Sequence, residues 1–278
     1  MRAVIQIFLI TSILAFGVGC KYQRVLKKGT PEEKLTAAKA YYNKKDYVRA
    51  QPLLDDLLNV YRRKPEAEEI YYFYSYCHYG MGDFLMASYN FKNFAENYPR
   101  SEHAVEAAFM SAKCEYHQSL PYYLDQTKTK KAIDKIQLFI NRYPTSSYVE
   151  EGNKLIDELR GKLHKKAYNA AMLYYKMENY KSSFVAFKNA IADYPDIPQK
   201  DEMEFLIVKS AYLYAGQSFL SSQKERYETA IEEGQYFLQG ESSNATYRKE
   251  VKEIIETSKK EVKRIELLLD KQEALKQK

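Results

Sequence analysis

Apolar residues in this chain fall on helical spacing almost throughout, and one arrangement of them returns at long intervals. Leu54 and Leu57 follow Ala50 by four and seven positions. Phe91 and Phe94 stand in the same relation to Ala87, Ile136 and Phe139 to Ala132, and Phe187 and Ala190 to Ser183. Spacings of four and seven place each set on one face of a helix. Ahead of the small residue an acidic or polar residue and an aromatic recur, as Asp46-Tyr47, Asp83-Phe84 and Asn179-Tyr180, with a faint copy at Arg226-Tyr227 before Ala230. Eleven positions after it comes Tyr61, or a Tyr-Pro pair at Tyr98-Pro99, Tyr143-Pro144 and Tyr194-Pro195. Proline there ends one helix and turns the chain toward the next.

Further offsets hold. Twelve positions before the anchors stand Ala38, Ser75, Ala171 and Ser218, small residues suited to close helix packing. Nine before stand Tyr41 and Tyr174, with Tyr123 beyond the interruption at Pro121. The pattern predicts helix pairs anchored on Ala50, Ala87, Ala132, Ser183 and Ala230, at gaps of 37, 45, 51 and 47 residues. This set of offsets resembles the tetratricopeptide repeat, whose minimal unit is ~34 residues. The expected fold is all-α, a tetratricopeptide superhelix of about five helix pairs with a C-terminal capping helix. The fifth copy carries Gly234 at a core position and lacks Tyr-Pro, as a degraded terminal repeat would.

The copies differ individually. Thr30-Pro31-Glu32-Glu33 reads as a capping box that opens the first helix. Pro52 falls inside the second helix of the first copy and removes one backbone bond. Leu120-Pro121 stops a helix in the third copy, and Tyr122 to Lys128 form an inserted loop. From Ser147 to Asn179 helical periodicity is unbroken by proline, so one long helix is expected. These features divide the chain into an N-terminal half, 30–146, holding copies one to three, and a C-terminal half, 147–240, joined by that helix. A charged helix, 241–278, follows. Its stripe Val251, Ile254, Ile255, Val262, Ile265 and Leu269 caps the last repeat or offers a partner surface.

Composition agrees with helices. Gly and Pro number only 10 and 8 in 278 residues, while Tyr reaches 27. The net charge of +6 arises from 43 basic and 37 acidic residues spread along the chain, a solvated helical surface and not a nucleic-acid footprint. Residues 1–19 form an apolar run behind Arg2 that reads as a secretory signal ending at Cys20. Its shape resembles a bacterial lipoprotein signal, with Gly17 where that pattern usually has Leu. The resemblance implies lipid on Cys20, a basic tether over 20–29 and, with Lys21 next, an outer-membrane anchor facing the periplasm. Cys77 and Cys114 lie about eight positions out of step on neighbouring first helices. That is ~12 Å along the axis, too far for the ~5.5 Å of a disulfide, so buried free thiols are expected.

Catalytic motifs are not found. His78, His103, His117 and His164 are expected on separate helices and lack His-Glu-x-x-His or Cys-x-x-Cys spacing, so neither metal nor other cofactor is expected. Gly80-Met81-Gly82 belongs to an intra-repeat turn. Arrays of this kind bind segments along the face of their first helices. By the register of the repeat that face carries Lys39, Tyr42 and Asn43 in the first copy and Tyr72, Tyr76 and Tyr79 in the second. In the third it carries Cys114, His117 and Pro121. The tyrosines suit an aromatic peptide, and Lys39 a carboxylate. Because tyrosine is frequent here, packing between neighbouring helices is the competing reading. Tyr71, Tyr74 and His78 belong to the core in the same register.

A closer resemblance rests on the third copy. Asp125-Gln126-Thr127 and Tyr143-Pro144-Thr145-Ser146, behind a lipoprotein-type signal and among five divergent repeats, are similar to segments of the BamD family of the β-barrel assembly machinery. The resemblance implies a scaffold without catalysis. Its C-terminal half would dock the POTRA domains of BamA, and its N-terminal groove would receive unfolded outer-membrane β-barrel proteins. Two other classes share the array: periplasmic repeat lipoproteins that coordinate cell-wall synthesis or division, and glycan-binding repeat lipoproteins. The second is disfavoured because the chain has no Trp.

Overall fold

The computed structural model describes residues 21–240 and 244–276. The signal segment and Cys20 lie outside the described residues, so the expected lipidation does too. Helices in pairs fill the chain. They are α1 Pro31–Asn43 with α2 Tyr47–Val60, α3 Glu66–Gly80 with α4 Phe84–Asn97, α5 Ala104–His117 with α6 Thr127–Arg142, α7 Val149–Lys176 with α8 Tyr180–Asp193, and α9 Lys200–Gly216 with α10 Leu220–Gln239. The last helix is α11 Ala245–Lys276. The all-α tetratricopeptide pattern is therefore present pair by pair. The chain divides into two compact units, one ending at Arg160 and the other starting at Gly161.

The recurring motifs are helix ends. Asp46, Asp83 and Asn179 are N-caps of α2, α4 and α8, each accepting a bond from the backbone N–H three residues on. Just before them Lys45, Gly82 and Glu178 take left-handed backbone, with φ of 58°, 77° and 58°. The N–H groups of Asp46, Asp83 and Asn179 bond back to the carbonyls of Tyr41, His78 and Tyr174 at 2.9, 2.9 and 3.0 Å. These are Schellman turns, which satisfy the orphan carbonyls of the first helix. Tyr61, Tyr98, Tyr143 and Tyr194 are C-caps of the second helices. The capping box at Thr30 and Glu33 forms as expected.

In the first unit, Leu53, Leu54 and Leu57 of α2 are buried with Ala38 and Ile70. Phe91 and Phe94 of α4 pack with Ala107 and Cys114, and Ile136 and Phe139 of α6 pack with Phe109 and Leu159. Residues 21–28, expected as a tether, are helical, and Tyr22, Val25 and Leu26 pack on the first of these cores. In the second unit, Phe187, Met203 and Phe237 share a core with Val251, Ile254 and Ile255 of α11. The last helix therefore caps the array, which is the first of the two readings its stripe allowed.

Two positions in the repeat register need correction. Ser218 was expected at a close helix crossing, yet it lies beyond the end of α9, in the turn before α10. The first helices end seven residues before the anchor in copies one, two and four, but fifteen before it in copy three and fourteen in copy five. Counted from the end of the first helix, the small residues are Ala38, Ser75, Ala112, Ala171 and Ala211, all buried. Gly234 is not a sign of decay either. A Cβ there would lie 2.8 Å from Cγ1 of Ile255, so the glycine lets α10 and α11 approach.

The insert in copy three is latched by its own residues. Gln126 is buried and donates its amide to the carbonyls of Pro121 (2.8 Å) and Leu124 (3.1 Å). Buried Thr129 donates to Gln126 Oε1 at 2.7 Å, and Asp125 accepts from the Thr127 N–H at 3.0 Å. The Asp-Gln-Thr motif thus folds the loop that separates α5 from α6.

Candidate functional site

The candidate face lies in the first unit, on α1, α3, α5 and the start of α7. On α3, Tyr72, Tyr76 and Tyr79 recur at spacings of four and three, which aligns them on one helix face. All three are half-buried against the core that holds Phe91 and Phe94. Tyr72 and Tyr76 meet edge to face at 4.9 Å between centroids, and the His103 ring stacks on Tyr72 at 4.2 Å. Tyr76 sits edge-on to Phe91 at 4.9 Å.

Their hydroxyls are engaged. Tyr72 donates to Glu106 Oε2 at 3.1 Å, and Tyr76 donates to the other oxygen of the same carboxylate. His103 Nδ1 lies 3.6 Å from Glu106 Oε2. Tyr79 Oη and His117 Nε2 are 3.0 Å apart, and the His117 ring stacks on Phe84 at 4.5 Å. Burial pushes the Tyr72 phenol up to about 12. The Tyr76 phenol is held higher still, by burial first and then by Glu106. Burial, followed by the charge of Lys113, lowers the pKa of His117.

The other expected residues fall around this cluster. Lys39 is bound to Glu69 of α3 at 2.7 Å. Tyr42 packs on Phe73 at 4.5 Å, and burial raises its phenol pKa strongly. Asn43 is exposed at the end of α1. Tyr74 and His78 are buried as expected, and Tyr71 is half-buried. Cys114 does not belong to the face: it is fully buried in the core beside Phe91, and Pro121 lies in the insert. Cys77 and Cys114 are both free and buried, but not for the expected reason: counted from the ends of α3 and α5 they stand in step, and they are buried in different cores. Burial raises both thiols to about 12.

Glu106, His103, Lys113 and Glu151 were missed, for a definite reason. The offsets were counted from the second helix, and the insert displaced them by eight residues in copy three. Counted from the end of the first helix, Glu106 is the counterpart of Glu32 and Glu69, and Lys113 that of Lys39 and Tyr76. The corrected register exposes a repeating seam. Lys39 pairs with Glu69 on the next first helix, Tyr76 with Glu106, and Lys113 with Glu151 at 2.6 Å. The middle link uses a neutral phenol where its neighbours use an ammonium. A carboxylate and a line of aromatic rings therefore share the centre of the face. Among the described residues, no group of three or more His, Cys, Asp or Glu is placed to hold a metal ion.

Residues 30–228 match the model of a family described as YfiO, outer membrane lipoprotein. No curated protein matches the chain. Among solved structures the chain is similar to the TPR domain of P58(IPK), at 11% identity and a TM-score of 0.38, over 87% of this chain and 68% of that one. It is also similar to the TPR2AB domain of yeast Sti1 in complex with pHSP90. There the identity is 10% and the TM-score 0.38, over 82% of this chain and 98% of that one.

Proposed function

This chain belongs to the YfiO family of outer membrane lipoproteins, and we propose that it is the scaffold of the β-barrel assembly machinery that captures unfolded barrel proteins and passes them to BamA. It works without catalysis. Lipid on Cys20 holds the array at the periplasmic side of the outer membrane, and the C-terminal half docks the POTRA domains of BamA. The tyrosine face of the N-terminal half receives the terminal strand of the substrate. Tethering raises the effective concentration of substrate near BamA, which speeds handover without any new contact.

The observation that carries the reading is the alignment of Tyr72, Tyr76 and Tyr79 on one face of α3, flanked by the rings of His103 and His117. Aromatic faces and edges favour another aromatic ring by about 0.5–1.5 kcal/mol beyond buried area. A barrel strand that ends in an aromatic residue has that chemistry. Glu106 keeps the rings in place and leaves them free to pack. The test is photocrosslinking of a terminal-strand peptide to α3. Tyr72→Ala with Tyr76→Ala is expected to weaken the crosslink while leaving BamA association intact. Undiminished crosslinking contradicts the reading.

A further inference from the structure

A second surface lies on the opposite side of α5. Residues Glu106, Lys113 and His117 face the tyrosine cluster, whereas Ala108, Ala112 and Glu115 line a cleft of about 400 Å³ between α4 and α6. At 100° per residue these two sets lie on opposite faces of the helix. The volume is within the ~300–1,000 Å³ usual for ligand clefts.

Each wall carries a helical stripe. Leu85, Tyr89, Lys92 and Glu96 line it from α4, and Lys131, Lys135, Leu138 and Arg142 from α6. Eleven residues separate the first and last of each stripe, so the cleft runs ~16 Å, three helical turns. Its rim is apolar and open: Leu85 is 62% exposed, Tyr89 59% and Leu138 59%. Its charge is unbalanced. Lys131 is bound at 2.8 Å to Glu115, which is buried, and Lys92 lies 3.8 Å from Glu96. Lys135 and Arg142, both exposed on α6, have no carboxylate partner among the described residues.

We propose that this cleft docks an acidic amphipathic helix of a partner protein. Two helical walls over a floor of Ala108, Ala112 and the ion-paired Glu115 accept the apolar stripe of a third helix, read as anchors at i, i+3, i+4 and i+7. Lys135 and Arg142, the latter 5.6 Å from the Tyr143 ring centroid and neither bound to a carboxylate among the described residues, select acidic residues along the edge of that helix. This site is separate from the tyrosine face and does not depend on it.

The test uses the full-length protein and synthetic helical peptides that share one leucine stripe and differ only in acidic or basic flanking residues. Fluorescence anisotropy is expected to show binding of the acidic peptide. Lys135→Glu with Arg142→Glu should loosen it by about tenfold or more and should improve binding of the basic twin. Leu138→Asp should also loosen the acidic peptide. Tyr72→Ala with Tyr76→Ala should leave it unchanged. Equal binding of the two peptides, binding indifferent to the charge reversal, or sedimentation showing a second copy of the chain in the cleft overturns the proposal. Improved binding of the basic twin cannot come from an unfolded variant, so the swap keeps the test decisive.

Discussion

Tyr72 on α3 donates its hydroxyl to Glu106 on α5, and Tyr76, one turn further along α3, donates to the same carboxylate. One acid therefore ties two aromatic rings to the next repeat. Glu106→Ala leaves two half-buried phenols without an acceptor, which costs about 1–3 kcal/mol. The Glu106 side chain retains 27% of its exposure, so the lower half of that range is expected. Glu151→Ala breaks only the Lys113 link, at a carboxylate that is 43% exposed, and should cost about 0–1 kcal/mol. Urea unfolding of both variants checks the order; a larger loss at Glu151 contradicts it.

The same phenols predict an alkaline limit. Burial is the chief cause that pushes the Tyr72 phenol up to about 12 from its ordinary 10.0. A group whose folded pKa is raised contributes stability that is complete below its unfolded pKa and is lost as pH climbs toward the folded one. Stability should hold up to about pH 10 and fall from there toward pH 12. Tyr72→Phe with Tyr76→Phe should flatten this decline. A urea midpoint in the double variant that falls as steeply as in the parent contradicts the assignment.

Left-handed backbone at the intra-pair turns gives a prediction of opposite signs. Gly82 has φ of 77° and open space where a Cβ would stand, so Gly82→Ala exposes the backbone strain alone and should cost about 1 kcal/mol. Lys45 holds φ of 58° with a full side chain. Lys45→Gly relieves ~1–2 kcal/mol of left-handed strain and gives back ~0.5–1 in unfolded-chain entropy, a net gain of about 0.5 kcal/mol. Thermal melting measures both; destabilisation by Lys45→Gly contradicts the account.

Gly234 and Gly161 both lie inside helices and should respond differently. Gly234→Leu drives a side chain into Ile255 and Val251 and should cost about 1–3 kcal/mol. It should also leave α11 open to proteolysis. Nothing lies within 4 Å of a Cβ on Gly161, so Gly161→Ala should gain up to about 1 kcal/mol of helix propensity. Equal effects at the two sites contradict the packing role of Gly234.

The helices were legible because burial and period coincide. Ala50, Leu54 and Leu57 announce one face of α2, and the Tyr-Pro pairs mark where second helices end. The candidate face was legible only where the connection inside a pair kept its standard length. Tyr72, Tyr76 and Tyr79 precede a three-residue turn and were found. Glu106 stands before the Gln126-latched insert, and counting back from Ala132 landed on Cys114. Counting from the end of the first helix, which Leu120-Pro121 brackets, would have found it; the offsets ran instead from the second helix, across an insert that Gln126 latches to Pro121 and Leu124 and that adds eight residues to the connection. Role was hidden as well. Exposed and half-buried tyrosines read alike in a sequence, and the partner that distinguishes them is a carboxylate on another repeat.

Family membership places the chain among outer membrane lipoproteins, and the central claim is that it acts there as the docking scaffold of barrel assembly. The most direct measurement is native affinity purification of the full-length protein from detergent-solubilised membranes, followed by identification of bound proteins. The account predicts recovery of BamA, retained in the Tyr72→Ala, Tyr76→Ala variant. Recovery of the intact, membrane-bound chain without BamA, or with cell-wall synthesis proteins in its place, contradicts it.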